Sequence, residues 1–437
     1  MEPINAISMY DNYYNQLGIT KSAYDTVSAL ERELECVFER IEGIDSLNQA
    51  KVLAAFQNNR VAAHHFNPTT GYGYNDVGRE CLDKVFADAF GTEAAIVSPQ
   101  LVSGTHAIFC VLAGILRAGE TMLAISGRPY DTLLEAIGIE GDAEGSLRDF
   151  NIKYEQVDLL PSGKFDISEI EKAVITHKPR LVHVQRSRGY AWREAILPAD
   201  MAPVFESIKK LSPETVIVVD NCYGEFTLPD EPTDHGADII VGSLIKNPGG
   251  GLAPTGGYFA GKREFVDRIA NRLTVPGIGR EAGSYFGSYL PFYQGLFFAP
   301  HVVAQSLKTS ILFSKIFEKY GLSTMPSSDS VRSDIVQSLR FSTKEQLIGF
   351  CRCIQSVSPV DSFALPEPYA MPGYSDEVIM AAGAFIQGSS IELSADAPIC
   401  EPYTGYLQGG LTYSHGRIAA MKVLTMLEET EGGGEAK

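Results

Sequence analysis

The run Thr215-Val216-Ile217-Val218-Val219-Asp220 is an apolar segment closed by a carboxylate, and Asp238-Ile239-Ile240-Val241-Gly242 repeats the pattern just before Ser243-Leu244-Ile245-Lys246-Asn247. Short β-branched runs without polar alternation predict strands buried on both faces, as in a parallel sheet. Working outward, apolar runs at 95–97, 122–125 and 181–184 alternate with stretches of helical spacing at 104–116, 167–175 and 199–211. That alternation predicts an α/β fold, a largely parallel sheet with helices on both faces. Ligands of such sheets gather at the carboxyl ends of the strands, where Asp220 and Lys246 both fall.

Ahead of the sheet, residues 22–42 carry Leu30, Leu34, Val37 and Ile41 at helical spacing, with Gly43 placed to end the helix, and a second helix is expected over 46–57. The stretch His64-His65-Phe66-Asn67-Pro68-Thr69-Thr70-Gly71-Tyr72-Gly73-Tyr74 is rich in turn formers and aromatics and reads as a loop. Beyond about residue 300 the pattern turns to helix and then to mixed strands and turns, a smaller α+β domain ending in a helix over 417–428 and a frayed tail. The expected organisation is an N-terminal helical segment with a loop (1–91), a large domain (92–300) and a C-terminal small domain (301–437).

The 437 residues carry 36 lysines and arginines against 54 aspartates and glutamates, a formal charge of −18 with no basic run, which argues against nucleic acid and against an anionic membrane. The apolar stretch 107–116 stops at Arg117, about half of a bilayer-spanning length. The opening Met-Glu-Pro-Ile-Asn lacks the basic and then apolar order of a secretory signal, so the chain is expected in the cytoplasm. Seven scattered cysteines, Cys351 and Cys353 the only close pair, agree with reduced thiols, and no metal site is expected.

A lysine and an aspartate at neighbouring strand ends are the pair that pyridoxal 5'-phosphate requires. The lysine amine holds the aldehyde as a Schiff base, and the carboxylate keeps the ring nitrogen protonated so that the ring can take up a carbanion's electrons. A phosphate needs amides and hydroxyls at a helix N-terminus, and Ser103-Gly104-Thr105, after a strand and before an apolar helix, offers them. Ser243 is a second donor candidate, and Tyr130, at the end of the next strand, is a candidate to stack on the ring. Each has an ordinary reading as well: helix cap, turn serine, core tyrosine.

The order Ser103-Gly104-Thr105, Tyr130, Asp220, Ser243-x-x-Lys246 resembles the fold-type I pyridoxal-phosphate enzymes of cysteine and methionine metabolism. More closely, Asp220-Asn221-Cys222-Tyr223-Gly224-Glu225-Phe226, the segment from Lys246 to Tyr258, and Val184-Gln185-Arg186-Ser187-Arg188-Gly189-Tyr190 resemble the methionine gamma-lyase-like family described as aluminium resistance proteins. The resemblance implies a large domain with a mostly parallel seven-stranded sheet plus a smaller α+β C-terminal domain. It implies Lys246 as the Schiff-base lysine, Asp220 as partner of the ring nitrogen, Tyr130 as the stacking ring, and Ser103, Gly104, Thr105 and Ser243 as the phosphate cup. It also implies a homodimer or homotetramer with the active site at the subunit interface, the Tyr72-Gly73-Tyr74 loop being lent to the neighbour. Relatives carry Tyr-x-Arg there; Tyr74 stands in place of the arginine, and Arg79 is the candidate to replace it. The C-terminal Arg-x-Ser-x-Gly that binds a substrate carboxylate corresponds to Thr412-Tyr413-Ser414-His415-Gly416, without its arginine. A planar bidentate cation is the natural clamp for a carboxylate, which makes Arg186 and Arg188, after a buried strand, the preferred substitutes over Arg417.

The expected activity is a carbon–sulfur lyase acting on a sulfur-containing amino acid by β- or γ-elimination, as in cystathionine beta-lyase or methionine gamma-lyase. Lys246 would be anchor and base, and Tyr72 or Tyr130 would protonate the departing sulfur, its proton made easier to move by burial and a neighbouring cation. Rival readings are a pyridoxal-phosphate aldolase, transferase or decarboxylase on the same scaffold, a binding protein that keeps the cofactor without turnover, and a nucleotide-binding protein suggested by Gly249-Gly250-Gly251.

Overall fold

A computed structural model of the chain describes residues 13–141, 144–370 and 376–432. Two compact units are present: Ile44–His301 with Arg332–Asp334, and Met1–Gly43 with Val302–Val331 and Ile335–Lys437. The division falls inside two helices, Glu35–Asn58 and Leu290–Lys319.

The larger unit is built on seven strands: β1 (Ala94–Ser98), β2 (Thr121–Ala124), β3 (Lys153–Gln156), β4 (Leu181–Gln185), β5 (Val216–Asp220), β6 (Ile239–Ser243) and β7 (Gly257–Gly261). Their order is β1-β7-β6-β5-β4-β2-β3. β3 to β6 run parallel with β2, and β7 alone is antiparallel, to both β1 and β6. The expected α/β fold with a mostly parallel seven-stranded sheet is therefore present. Because side chains alternate along a strand, one face presents Ile96, Met122, Leu181, Val216, Val218, Ile239, Val241 and Phe259 to the helices Gly104–Ile115 and Arg263–Leu273. The opposite face carries Tyr258 stacked on Phe90 with ring centroids 5.2 Å apart and planes 2° from parallel, and Phe90 stacks in turn on Phe226.

The smaller unit holds a second, wholly antiparallel sheet of β8 (Thr324–Met325), β9 (Gln337–Arg340), β10 (Tyr369–Ala370), β11 (Glu377–Ala381), β12 (Ser394–Pro398) and β13 (Thr404–Gln408), ordered β10-β11-β12-β13-β9-β8. The helices Lys344–Ser356 and Tyr413–Gly432 accompany it, the α+β arrangement expected. The helix Leu290–Lys319 is long and apolar enough to span a bilayer, but 78% of its apolar window is buried inside the protein, as in a core helix.

Two local expectations need correction. Gly43 does not end a helix: the first helix stops at Glu33, and a second, Glu35–Asn58, runs through Gly43. Leu34 caps the first helix at φ −92°, ψ 1° and bonds back to Leu30 and Glu31, so the break comes where the apolar stripe continues. The glycine run after Lys246 is not a nucleotide loop either. A Cβ on Gly249 would sit 1.7 Å from the Leu244 carbonyl oxygen, so that glycine is required by close packing of the turn on itself.

Candidate active site

Ser98 at the end of β1 and Ser243 at the end of β6 both lie opposite Gly257 on β7, which brings two distant strand ends to one edge. A Cβ on Gly257 would fall 2.9 Å from the Ala107 Cβ and 3.2 Å from the Leu101 Cβ, so glycine lets the helix Gly104–Ile115 settle on that edge. Ser103 caps the helix, its Oγ accepting from the His106 amide at 3.0 Å, which leaves the hydroxyl hydrogen to donate elsewhere. The Cβ position of Gly104 is 3.1 Å from the Ser243 Cβ. The Ser243 Oγ is buried and has no hydrogen-bond partner among the described residues. A buried hydroxyl left this way is costly, and one beside a helix N-terminus is matched by a phosphate oxygen. The residues present therefore fit the phosphate end of pyridoxal phosphate.

The same pleat carries the ring end. Gln185 pairs with Asp220, and Asp220 pairs with Val241, two residues before Ser243, so Gln185, Asp220 and Ser243 emerge on the face that holds the capped helix. The buried Asp220 carboxylate accepts from the Cys222 amide at 3.1 Å. Beneath it on the same face, His183 is buried with both ring nitrogens unpartnered among the described residues. Burial lowers the His183 pKa to about 4, against the pull of Asp220. Tyr130 joins the group through its amide, which donates to Gln185 Oε1 at 2.9 Å, and through its hydroxyl, which donates to Thr105 Oγ1 at 2.8 Å. Lys246 caps the turn Asn247–Gly249 with its Nζ 3.9 Å from the centre of the Tyr223 ring. Burial opposes a charged Lys246 amine, whereas the Asp220 carboxylate and the face of the Tyr223 ring favour it.

The protons of the neighbouring groups are held tightly. Burial, then Asp220, pushes the Cys222 thiol well up, so this cysteine is a packing residue. Burial, again with Asp220, also raises Tyr130 well above the ordinary tyrosine range. The sequence reading expected a more mobile Tyr130 proton, and the correction has a plain cause: burial opposes the ionised phenol, and the Asp220 carboxylate adds to that.

The remaining candidates are engaged by other partners. Arg186 is 0% exposed and its guanidinium donates to Ser333, Asn221, Glu231 and Thr227, an ion pair at 3.1 Å included. It ties loops together and is not placed to clamp a substrate, contrary to the sequence reading. Arg188 is buried beside it, donating from its guanidinium to the Arg193 carbonyl at 3.1 Å. Arg417 holds Glu31 through two bonds at 2.8 and 2.9 Å. Arg79, the candidate second phosphate cation, instead donates to the carbonyls of Gly73, Gly283 and Glu281, fastening the tyrosine loop to the 281–283 segment. Tyr72 on that loop is 70% exposed and stacked on Tyr74 at 5.4 Å. His106 accepts from the Val102 amide and so closes its own turn.

Three residues of the site escaped the sequence reading. Gln185 positions Tyr130. Asn247 donates from one amide nitrogen to the carbonyls of Tyr223 and Glu225, both at 2.9 Å, and so fastens the lysine turn to the Asp220 turn. Tyr223 lies against the lysine amine in a left-handed conformation, φ 72°. Nothing in residue type or spacing announces these roles; only their place inside the quoted family segments could have drawn attention to them.

The profile of the methionine gamma-lyase family matches residues 23–428. A solved structure of a carbon–sulfur lyase involved in aluminium resistance from Clostridium novyi is 48% identical, covering 95% of this chain and 98% of that one at a TM-score of 0.92. A protein of Listeria innocua, described as a candidate cystathionine beta-lyase involved in aluminium resistance, is 49% identical over 92% of this chain and 98% of its own, with a TM-score of 0.90. A pyridoxal-5'-phosphate-dependent protein of Escherichia coli, 18% identical with a TM-score of 0.61 over 89% of this chain and 97% of that one, shares the fold.

Proposed function

Because the chain belongs to the methionine gamma-lyase family, we propose that it is a pyridoxal 5'-phosphate-dependent lyase that cleaves a carbon–sulfur bond in a sulfur-containing amino acid by β- or γ-elimination. One observation carries the reading: the unpartnered Ser243 hydroxyl lies beside a capped helix N-terminus, on the sheet edge that also bears Asp220 and leads to Lys246. Bound there, the cofactor supplies an aldehyde for an amine and a ring that stores a carbanion's electrons.

The chain's own groups do the rest. Ser103, Thr105, Ser243 and the amide of Gly104 hold the phosphate, and Asp220 holds a proton on the ring nitrogen. Tyr130 offers its ring as a stacking surface while its hydroxyl stays on Thr105. Lys246 Nζ, once neutral, takes the substrate's α-proton. Arg188, buried and bonded to the Arg193 carbonyl, would exchange that bond for the substrate carboxylate. Tyr72 of a second copy protonates the departing sulfur, so the working unit is a homodimer or homotetramer in the cytoplasm. The names of the relatives from Clostridium novyi and Listeria innocua support the class of bond broken.

The missing arginine in Thr412-Tyr413-Ser414-His415-Gly416 favours one alternative, an aldolase or transferase on another amino acid. The test mixes cofactor-loaded protein with a panel of amino acids and follows the visible cofactor band, oxo acid and thiol together. Thiol and oxo acid in equal amounts are expected from at least one sulfur amino acid. A band that persists unchanged in Lys246→Ala would overturn the cofactor assignment, and oxo acid without thiol would overturn the lyase.

A further inference from the structure

Tyr223 is a bulky aromatic residue with φ 72°, a region that L side chains seldom occupy. Strain of this kind persists only where the surroundings over-determine it. The surroundings here are specific. The Gly224 amide donates to the Asn221 carbonyl at 2.9 Å, and the Asn247 side chain holds the carbonyls on either side of Gly224, those of Tyr223 and Glu225, at 2.9 Å each. Gly224 itself packs on the buried Arg186, whose Cδ and Nε would lie 2.6 Å from any Cβ there. The turn is thus clamped from both sides, and its product is one contact: the Lys246 Nζ stands 3.9 Å from the Tyr223 ring centre. A glycine would make the same turn without strain, so what the tyrosine adds at this point is its ring; Phe226, three residues on at φ 61°, spends its ring on Phe90, whereas that of Tyr223 faces the lysine.

An ammonium over an aromatic face is held by the ring quadrupole, and the attraction grows where water is excluded. We propose that Tyr223 is a positioning residue for Lys246, its ring face being the seat of the lysine ammonium whenever the amine is not joined to the cofactor. The other groups facing the amine are Cys222, Asp220 and Tyr130, with Glu225 beneath. Cys222 and Tyr130 keep their protons. Asp220 would be engaged by the ring nitrogen of the bound cofactor, so the Tyr223 ring is the contact left to receive the amine at the moment of release. It keeps the amine at one point, ready to return.

The importance of that position rests on the lyase reading, but the test does not. Full-length cofactor-free protein carrying lysine 13C-labelled at the ε-carbon is followed by NMR, with the Lys246 signal assigned by its loss in Lys246→Arg. Wild type and Tyr223→Phe should show Lys246 ε-protons shifted upfield by the ring current. In Tyr223→Leu and Tyr223→Gly the signal should return to the ordinary lysine position, and the amine should lose its proton about one pH unit lower, a tenfold change in its charge equilibrium. Glycine suits φ 72° without strain, so that variant separates loss of the ring from loss of the fold. An unshifted wild-type signal, or a titration unmoved in Leu and Gly, overturns the proposal. So does a Phe variant that behaves like Leu, because the hydroxyl rather than the ring would then be responsible. Failure of the cofactor to form a visible band with wild type would overturn the lyase reading and leave these comparisons intact.

Discussion

Glu225 and His183 lie on opposite faces of the sheet and titrate in opposite senses. Glu225 accepts from the Tyr258 hydroxyl at 2.8 Å, and its other oxygen is buried without a partner among the described residues. Burial raises its pKa from 4.5 to about 8. The folded chain thus keeps a proton that the unfolded chain releases, so this group's contribution is complete below pH 4.5 and is lost as pH rises through 8. His183 runs the other way: burial lowers it from 6.5 to about 4, so its contribution is present above pH 6.5 and is lost as pH falls through 4. The two slopes oppose each other between pH 4.5 and 6.5, and from 6.5 to 8 that of Glu225 acts without the other. Glu225→Gln, which keeps an acceptor for Tyr258, should therefore gain stability over wild type progressively from pH 5 to 8.5, read as urea midpoints; a constant difference would show that the carboxyl is ionised in the fold. Ser243→Ala carries a paired expectation. It should weaken cofactor binding by roughly 10- to 100-fold, the worth of a hydrogen bond to a charged group. It should leave the cofactor-free protein as stable as before or more so, since it removes an unpartnered buried hydroxyl. A cofactor-free variant that melts well below wild type would mean that Ser243 is already bonded.

At the scale of elements, the glycines separate packing from propensity. Gly43 lies inside a helix with nothing within 4 Å of its Cβ position, so Gly43→Ala should raise the melting temperature, by about 0.5–1 kcal/mol in free energy. Gly257→Ala should do the reverse and weaken cofactor binding as well, because a Cβ 2.9 Å from Ala107 would lift the helix Gly104–Ile115 from the sheet edge. Thermal melts of both variants, with cofactor titration of the second, check this. The same elements mark how far the sequence could be read. β1, β2, β4, β5 and β6 are legible because they are short, mostly apolar runs that are buried at every position but Gln185. β3, Lys-Tyr-Glu-Gln at the sheet edge, has no apolar face to betray it. β7 begins and ends in glycine, Gly257 to Gly261, and reads as loop because the packing that demands Gly257 comes from residues some 150 positions earlier. Lys246 and Asp220 were legible for their chemistry, whereas Tyr223, Gln185 and Asn247 act through contacts that spacing does not encode.

At the scale of the whole molecule, the exposed Tyr72 and Tyr74 pair bears on assembly. If the loop serves a neighbour's site, Tyr72→Phe and Lys246→Ala proteins, each impaired alone, should regain activity when unfolded and refolded together. One site in each mixed dimer would then be complete, about a quarter of all sites. Activity no greater than the sum of the two parents would place Tyr72 outside the partner's site. The antiparallel β7 bears on something else, the birth of the chain. Among the described residues β1 pairs with β7 and with no other strand, Ala94 meeting Gly261. During synthesis at 5–20 residues per second, β1 therefore leaves the ribosome roughly ten to thirty seconds before its partner exists. Through that interval an apolar strand with unpaired amides and carbonyls is open to wrong partners. A nascent chain stalled shortly before Gly257 should bind a chaperone, and one stalled well past Gly261 should release it.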